Sequence, residues 1–403
     1  MGTPPGSLFK VSEPFKNLAS DPQRWSGIQR GKSRHPFEWL VEKLIFLVSL
    51  TAILMVFLIF AFVTREALPI VFGEMNSAAR QPVLPVADLD KTPPAVLRSY
   101  LELTPEEFAS MDHDTKELLM QTKVDAAKDA STDKDATVNT TEWRYLFLPH
   151  QWTGYDRPSY IWQPVSTIKK YNIVPLIVGS IKATVVALLF AVPLALAAAI
   201  YVSQLARPKF KEVIKPAIEL LSGVPSVVVG FFALIVIATV LQRMFGYESR
   251  LNAFVAGIGL GFAIIPVVFS IAEDALTSVP RSFTQAALAL GASRWQAAWQ
   301  VVLPAAIPGV FAAIVLGFGR AMGETMIVLL ASGNASIMSW NIFDSARTIT
   351  ATIAAEMGEV VAGGDHYRIL FLIGAMLFVV TFVSNMAAEL VMERLKRRLE
   401  GKV

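Results

Sequence analysis

Apolar and polar positions alternate on a long scale along the chain. Six nearly uninterrupted apolar stretches stand out, each bounded by polar or charged residues. They run from about Leu44 to Val63, Ile173 to Val202, Pro216 to Leu241, Ala253 to Ile271, Leu303 to Ala331 and Ile369 to Val391. A bilayer core of about 30 Å needs roughly 20 such residues per helix. Transmembrane strands would show alternating segments of about 10 residues, which are missing here. The pattern predicts an all-α polytopic membrane protein with six transmembrane helices and a polar insert after the first. It divides the chain into an N-terminal tail (1–43), transmembrane helix 1 (44–63), an insert (64–170), a five-helix core (171–392) with a loop at 273–304, and a C-terminal tail (393–403).

Lysine and arginine placement sets the expected orientation. Lys10, Lys16, Arg24, Arg30, Lys32, Arg34 and Lys43 precede the first span, and Arg394, Lys396, Arg397, Arg398 and Lys402 follow the last. Arg207, Lys209, Lys211 and Lys215 lie between spans two and three, and Arg281 and Arg294 between spans four and five. Six spans put all four groups on one side, so both termini and the 273–304 loop are expected in the cytoplasm. The basic run before the first span is too long for a cleavable signal, which makes that span an expected anchor. The 64–170 insert is then extracytoplasmic. Thr104-Pro105-Glu106-Glu107 reads as a capping box opening a helix over about 105–123. Asp125 to Thr141 is too poor in apolar residues to build a core. The aromatics Trp143, Tyr145, Phe147, Trp152, Tyr155, Tyr160 and Trp162 fit a small cap or an interfacial belt.

Composition narrows the function classes. Among 403 residues, 54% are hydrophobic and 17% charged, against about 25% charged in soluble domains. Cys is 0 and His is 4, which removes disulfides, thiolate chemistry and a His-rich metal site; no cofactor is expected. A net charge of +3 gives no ground for nucleic-acid binding. No G-x-x-x-x-G-K-[ST] phosphate loop occurs, so any ATP-driven work needs a separate subunit. No set of catalytic side chains points to an enzyme.

The informative charges are those inside the spans, where each is costly. Arg320 and Glu324 stand four residues apart in span five, so they share one helix face and can pair. A structural ion pair gluing helices is one reading; a solute path with a fixed cation is the sharper one. Arg forks onto oxyanions and stays charged. Gly319 and Gly323 form a small-xxx-small pattern. Pro225 is expected to kink span three, a feature that often lines a substrate cavity. Lys182 is expected to snorkel from span two. Glu219, Glu273 and Asp274 sit near span ends, where solvated roles suffice. Gly257, Gly259 and Gly261 suit close helix packing.

The 273–304 loop carries Gln285-Ala286-Ala287, then Gly291, then Val301-Val302-Leu303-Pro304. This resembles the EAA signature of ABC-importer permeases, with every spacing matched and with Gln285 and Val301 in place of the usual Glu and Ile. Two short helices joined at Gly291 are expected, exposing Leu288, Trp295 and Trp299 to a partner groove. The runs Gly319 to Met326, Ala331 to Asn334 and Glu219 to Val228 (Ser222 and Pro225 among them) resemble the Pst-type phosphate-importer permeases. Asn341 to Phe343, Arg347-Thr348 and Ala354 to Met357 extend the likeness toward the PstC-like branch, over about 173–398 in all.

The resemblance implies an ABC-importer permease (MetI-like) fold in a bacterial inner membrane. Arg320, Glu324, Thr325, Ser222 and Pro225 would line a phosphate pathway, and Gln285, Ala286, Ala287, Gly291, Trp295, Leu303 and Pro304 would couple to an ATPase. The implied partners are a second phosphate permease subunit, an ATP-binding-cassette ATPase dimer, a periplasmic phosphate-binding protein, phosphate and the lipid bilayer. A permease for another oxyanion or solute, or a membrane sensor or scaffold in phosphate signalling, remains the alternative.

Overall fold

A computed structural model describes residues 36–73, 89, 91–101, 103–132, 135, 138–166 and 168–399. The basic residues of the N-terminal tail up to Arg34, together with Lys402, lie outside that set. The chain divides into two compact units, Met1–Ile59 and Phe60–Val403. The described part of the first is helix α1 (Pro36–Val71) up to its residue 59, and nearly every described side chain there is exposed. Such a helix, apolar on all sides, suits lipid better than water.

In the second unit, Ala67 and Ile70 at the end of α1 are buried with Leu146, Trp162, Tyr171 and Leu176. The segment that follows holds α2 (Pro94–Leu101), α3 (Pro105–Ser110), α4 (His113–Thr132) and α5 (Trp143–Phe147), then the short antiparallel pair β1 (Trp162–Gln163) and β2 (Lys170–Tyr171). Thr104 and Glu107 form the expected capping box. The helix expected over 105–123 is split, however. Met111 is extended, and Asp112 accepts from the Thr115 N–H at 3.3 Å, so it starts a new helix as an N-cap. The polar stretch is also less open than expected, because Asp135, Thr140 and Thr141 are buried. The aromatics form a compact cap: Trp143 stacks on Phe147 at 5.4 Å, and His150 lies edge-on to Trp152 at 4.7 Å.

The core follows as α6 (Val174–Ile200), α7 (Pro208–Leu221), α8 (Ser226–Phe232), α9 (Ala238–Phe245), α10 (Ala253–Thr277), α11 (Arg281–Ala289), α12 (Arg294–Ala297), α13 (Leu303–Gly323), α14 (Met326–Ala331), α15 (Ile349–Glu356) and α16 (Asp365–Leu399). Five-residue π turns join α8 to α9 and α12 to α13 and extend α6 to Leu205. Among the described residues, six helices are long and apolar enough to cross a membrane: Trp39–Val71, Val174–Leu205, Ser226–Phe245, Ala253–Thr277, Arg294–Gly323 and Asp365–Arg394.

The core seam is written in small residues. Ala183, Ala187, Ala191, Ala195 and Ala199 recur every fourth position along α6, and all are buried. Spacing of four keeps them on one helix face. Opposite them, a Cβ at Gly257 would lie 2.5 Å from Val186, and one at Gly261 would lie 2.6 Å from Phe190. The two backbones therefore approach as only small residues permit. α13 packs on α10 and α6, and α16 on α13.

Span three differs from expectation. It begins at Ser226, and the residues before it form the separate helix α7, which has no fully buried residue. Pro225 stands at the N-cap of α8, so it opens a helix and does not kink one. Lacking an N–H costs proline nothing at a position whose amide would be unpaired anyway.

Candidate functional site

Span five is the element most changed by the structure. α13 ends at Gly323, and Glu324 is extended (φ −73°, ψ 134°). Arg320 therefore lies in the last helical turn, where a cation complements the carbonyl end of the helix dipole. The ion pair expected between Arg320 and Glu324 does not form, because the helical register joining them stops one residue too early. Instead the Glu324 Oε1 accepts the Thr325 N–H at 3.1 Å and the Met326 N–H at 3.3 Å, capping α14. Arg320 is exposed, and among the described residues no hydrogen bond or ion pair holds its guanidinium. Gly323 is open, with nothing within 4 Å of where a Cβ would stand, whereas Gly319 faces Asn385 of α16.

Beside the break lies a tight crevice with no room for a water molecule, lined by Ser180, Thr184, Met322, Glu324, Thr348 and Thr350 among others. Its hydroxyls are chained to the break. The Thr350 Oγ1 donates to the Glu324 carbonyl at 2.9 Å and lies 3.2 Å from the Thr348 Oγ1. The Thr184 Oγ1 donates to the Met322 Sδ at 3.2 Å, and the Ser180 Oγ accepts the Ile349 N–H at 3.1 Å. Thr325 belongs to this group through its own N–H. Ser222 and Pro225 do not: both are exposed between α7 and α8, and the Ser222 hydroxyl donates to the Glu219 carbonyl at 2.6 Å. Single hydroxyls give little signal in a sequence, so no pattern there marks Ser180, Thr184 or Thr350, and Thr348 stands out only within the Arg347-Thr348 run.

The elbow forms by local rules. α11 ends at Ala289 with Leu290 as its C-cap, and the next residue, Gly291, has a φ of +88°, the left-handed conformation that glycine adopts most easily. The Gly291 N–H donates to the Leu288 carbonyl at 3.0 Å and the Ala292 N–H to the Ala287 carbonyl at 3.1 Å, the paired bonds of a Schellman motif. Ser293 and Gln296 then close a capping box that starts α12. The second short helix runs on into span five. A π turn over Ala298–Val302 shifts the hydrogen-bond register, so the chain enters α13 with Pro304 in its first turn. Gln285, Ala286 and Gly291 are exposed, Ala287 is buried, and Leu303 and Pro304 are half-buried. Trp295 and Trp299 are 56% and 52% exposed, with rings stacked at 5.8 Å.

Two buried carboxylates are hidden from the sequence pattern. Glu273, expected to be solvated, has a side chain only 1% exposed. Its Oε1 accepts from Lys211 Nζ at 2.7 Å and Thr277 Oγ1 at 2.9 Å, and its Oε2 from Lys215 Nζ at 2.7 Å. The hydrogen bond to Glu273 holds the Lys215 ammonium above its ordinary pKa, although burial works against it. The four-residue spacing of Lys211 and Lys215 was the available signal. Glu356 is the second. Arg347 Nη1 lies 2.7 Å from its Oε1, His366 Nε2 lies 2.8 Å from its Oε2, and the Trp162 Nε1–H donates to Oε1 at 3.1 Å. Lys182 does not snorkel: it is 4% exposed and donates to the Asn341 carbonyl at 3.1 Å.

The core is similar to known proteins. Residues 172–401, more than half of the chain, match the family described as binding-protein-dependent transport system inner membrane component. The probable ABC transporter permease protein YqgH of Bacillus subtilis is 36% identical over 222 residues, 55% of this chain and 72% of that protein. The phosphate transport system permease protein PstC of Mesorhizobium japonicum is 35% identical over 257 residues, 59% of this chain and 77% of that protein. A chain of the inward-facing MetNI methionine ABC transporter aligns with a TM-score of 0.43 at 16% identity, over 55% of this chain and 97% of that one. The chain belongs to the binding-protein-dependent transport system inner membrane components, as a multi-pass ABC-permease subunit that is not itself an enzyme.

Proposed function

We propose that the chain is a permease subunit of an ATP-driven phosphate importer. The observation that carries the reading is the Arg320 guanidinium, exposed in the last turn of α13 beside a helix break and without a partner among the described residues. A fixed cation of this kind can fork onto two phosphate oxygens. The hydroxyls of Thr184, Thr348 and Thr350, which line the break at Met322 and Glu324, would take over the anion's remaining acceptors in this reading. Glu324, engaged with backbone amides, leaves Arg320 free and keeps a negative charge close enough to limit how tightly an anion is held. Likeness to proteins named phosphate permeases supports the choice of anion. Ser222 and Pro225 would serve the pathway as a joint ahead of span three, not as anion contacts.

Within this reading, a periplasmic phosphate-binding protein delivers the anion to the side holding residues 64–170. An ATPase dimer docks on the opposite, cytoplasmic side, together with both termini. The groove of the ATPase takes the stacked Trp295 and Trp299, with Gln285, Ala286 and Leu288 on the same elbow. Gly291 sets the angle between the two short helices, and Leu303 and Pro304 pass its motion into α13. A second permease subunit completes the passage opposite Arg320, a heterodimer in this reading.

Phosphate uptake by cells carrying Arg320→Ala tests the proposal, with Arg320→Lys alongside. Loss of uptake in the alanine variant at normal membrane abundance, partly restored by lysine, is expected. Uptake of labelled phosphate at the wild-type rate in Arg320→Ala would overturn the role of Arg320. Failure of phosphate to compete with another transported solute would overturn the choice of anion.

A further inference from the structure

We propose that Glu273 is a positioning residue that ties the elbow to α7, so that elbow movement reaches the helix break at Glu324. This rests on the transport reading above. The geometry is specific. Glu273 sits one turn before the end of α10, and four residues after Thr277 the elbow helix α11 begins. Its two oxygens are divided between Lys211 and Lys215, both from α7, at 2.7 Å each. Lys215 also reaches the exposed Asp274 at 3.1 Å.

α7 has little else to hold it. Of its apolar side chains, only the partly buried Ile214 and Ile218 pack against the core, while Phe210, Val213, Leu220 and Leu221 are exposed. Helices in proteins owe most of their stability to packing, so here the charge-assisted bonds to one buried carboxylate set where α7 lies. At its far end α7 passes through Ser222–Pro225 into α8. α8 packs on α14 so closely that a Cβ at Gly230 would lie 2.8 Å from Leu330 and 3.3 Å from the Ile327 backbone. α14 begins two residues after Glu324. One contiguous set of contacts thus runs from elbow to break, with Glu273 as its charged joint.

Glutamine at 273 keeps the shape and the Thr277 contact but turns an N–H₂ toward one lysine. Aspartate keeps the charge on a shorter stem. The test uses the whole complex in proteoliposomes and reads phosphate moved per ATP hydrolysed. Glu273→Gln is expected to lower that ratio about tenfold at unchanged complex abundance, with Glu273→Asp restoring part of it. A ratio equal to wild type, or uptake and hydrolysis falling together with the amount of assembled complex, would overturn the proposal.

A second measurement does not depend on the solute. The chain contains no cysteine, so spin labels at Val213→Cys on α7 and Ser282→Cys on α11 report their separation. With Glu273 that distance should stay narrow with and without trapped nucleotide. With Glu273→Gln it should broaden, and an unchanged narrow distance would count against the tie. If the wild-type complex moved no phosphate, the choice of anion would fail while this distance still decided the role of Glu273.

Discussion

The two buried carboxylates lie at opposite ends of the bundle and are built differently. Arg347, beside Glu356, runs its backbone against Gly179 in the first turns of α6. Near Glu273, the Gln204 Nε2 just beyond the other end of α6 donates to the Leu276 carbonyl at 3.3 Å. Glu356 is held by stiff, planar groups: a guanidinium, an imidazole and an indole, each itself largely enclosed. Glu273 is held by two lysines on flexible stems, whose side chains remain 36% and 30% exposed. A planar fork is pre-organised, while an ammonium on four methylenes keeps its options. One end of the bundle is therefore locked and the other is hinged.

Removing each carboxylate in turn is the strongest way to break that contrast. Glu356→Ala leaves the Arg347 guanidinium enclosed without a counter-charge and the His366 Nε2 without its partner, and loss of one member of a buried pair costs about 3–5 kcal/mol. A large fall in the thermal midpoint of the purified protein in detergent is expected, together with loss of the Trp162 anchor. Glu273→Ala should cost less, about 1–3 kcal/mol, because Lys211 and Lys215 can swing into water once released. Equal losses at the two sites would show that both ends are locked alike.

The contrast also explains how much the sequence disclosed. The six spans, the Thr104 capping box and the turn at Gly291 were legible because each depends on neighbours within a few positions. The burial of Glu273 was not, since it needs Lys211 and Lys215, 62 and 58 residues upstream, to fold back beside it. Glu356 likewise takes partners from β1, from the residue ahead of Thr348 and from α16. The Arg320–Glu324 pair failed for the opposite reason. Its spacing is helical, but Gly323 ends the helix and the Glu324 carboxylate finds two unpaired amides closer at hand. Of the candidate site, the mutual geometry of the residues that stand out in the sequence was not readable, because the break at Gly323 and the turn at Ser222–Pro225 separate what a continuous helix would join.

Gly291→Ala probes the hinged end without touching a charge. A left-handed φ costs a residue with a Cβ roughly 1–2 kcal/mol, and no atom lies within 4 Å of where that Cβ would stand. The expected loss is therefore small and confined to the elbow. It should appear as faster hydrogen exchange at the Gly291 and Ala292 amides while the α6–α10 seam keeps its protection. A global loss of protection would mean that the elbow is not an independent hinge.

Asp135 offers the smallest and finest test, as a third enclosed carboxylate that lies outside the spans. Burial works to raise its pKa. The Thr153 N–H at 2.6 Å, the Thr153 hydroxyl and His150, whose Nε2 lies 3.4 Å away, outweigh that burial and hold it below the ordinary value of 3.8. A carboxylate with a depressed native pKa stabilises the fold fully above its unfolded-state value, and that contribution fades as pH falls through the native one. Protection of the Thr153 amide, corrected for intrinsic exchange, should thus hold down to about pH 4 and decline below it. Asp135→Asn keeps an acceptor for that amide but cannot titrate, so its protection should be lower at pH 6 and flat on acidification. A wild-type protein whose Thr153 protection ignored pH would place Asp135 with the locked carboxylates, where the enclosing groups rather than the charge keep the fold in place.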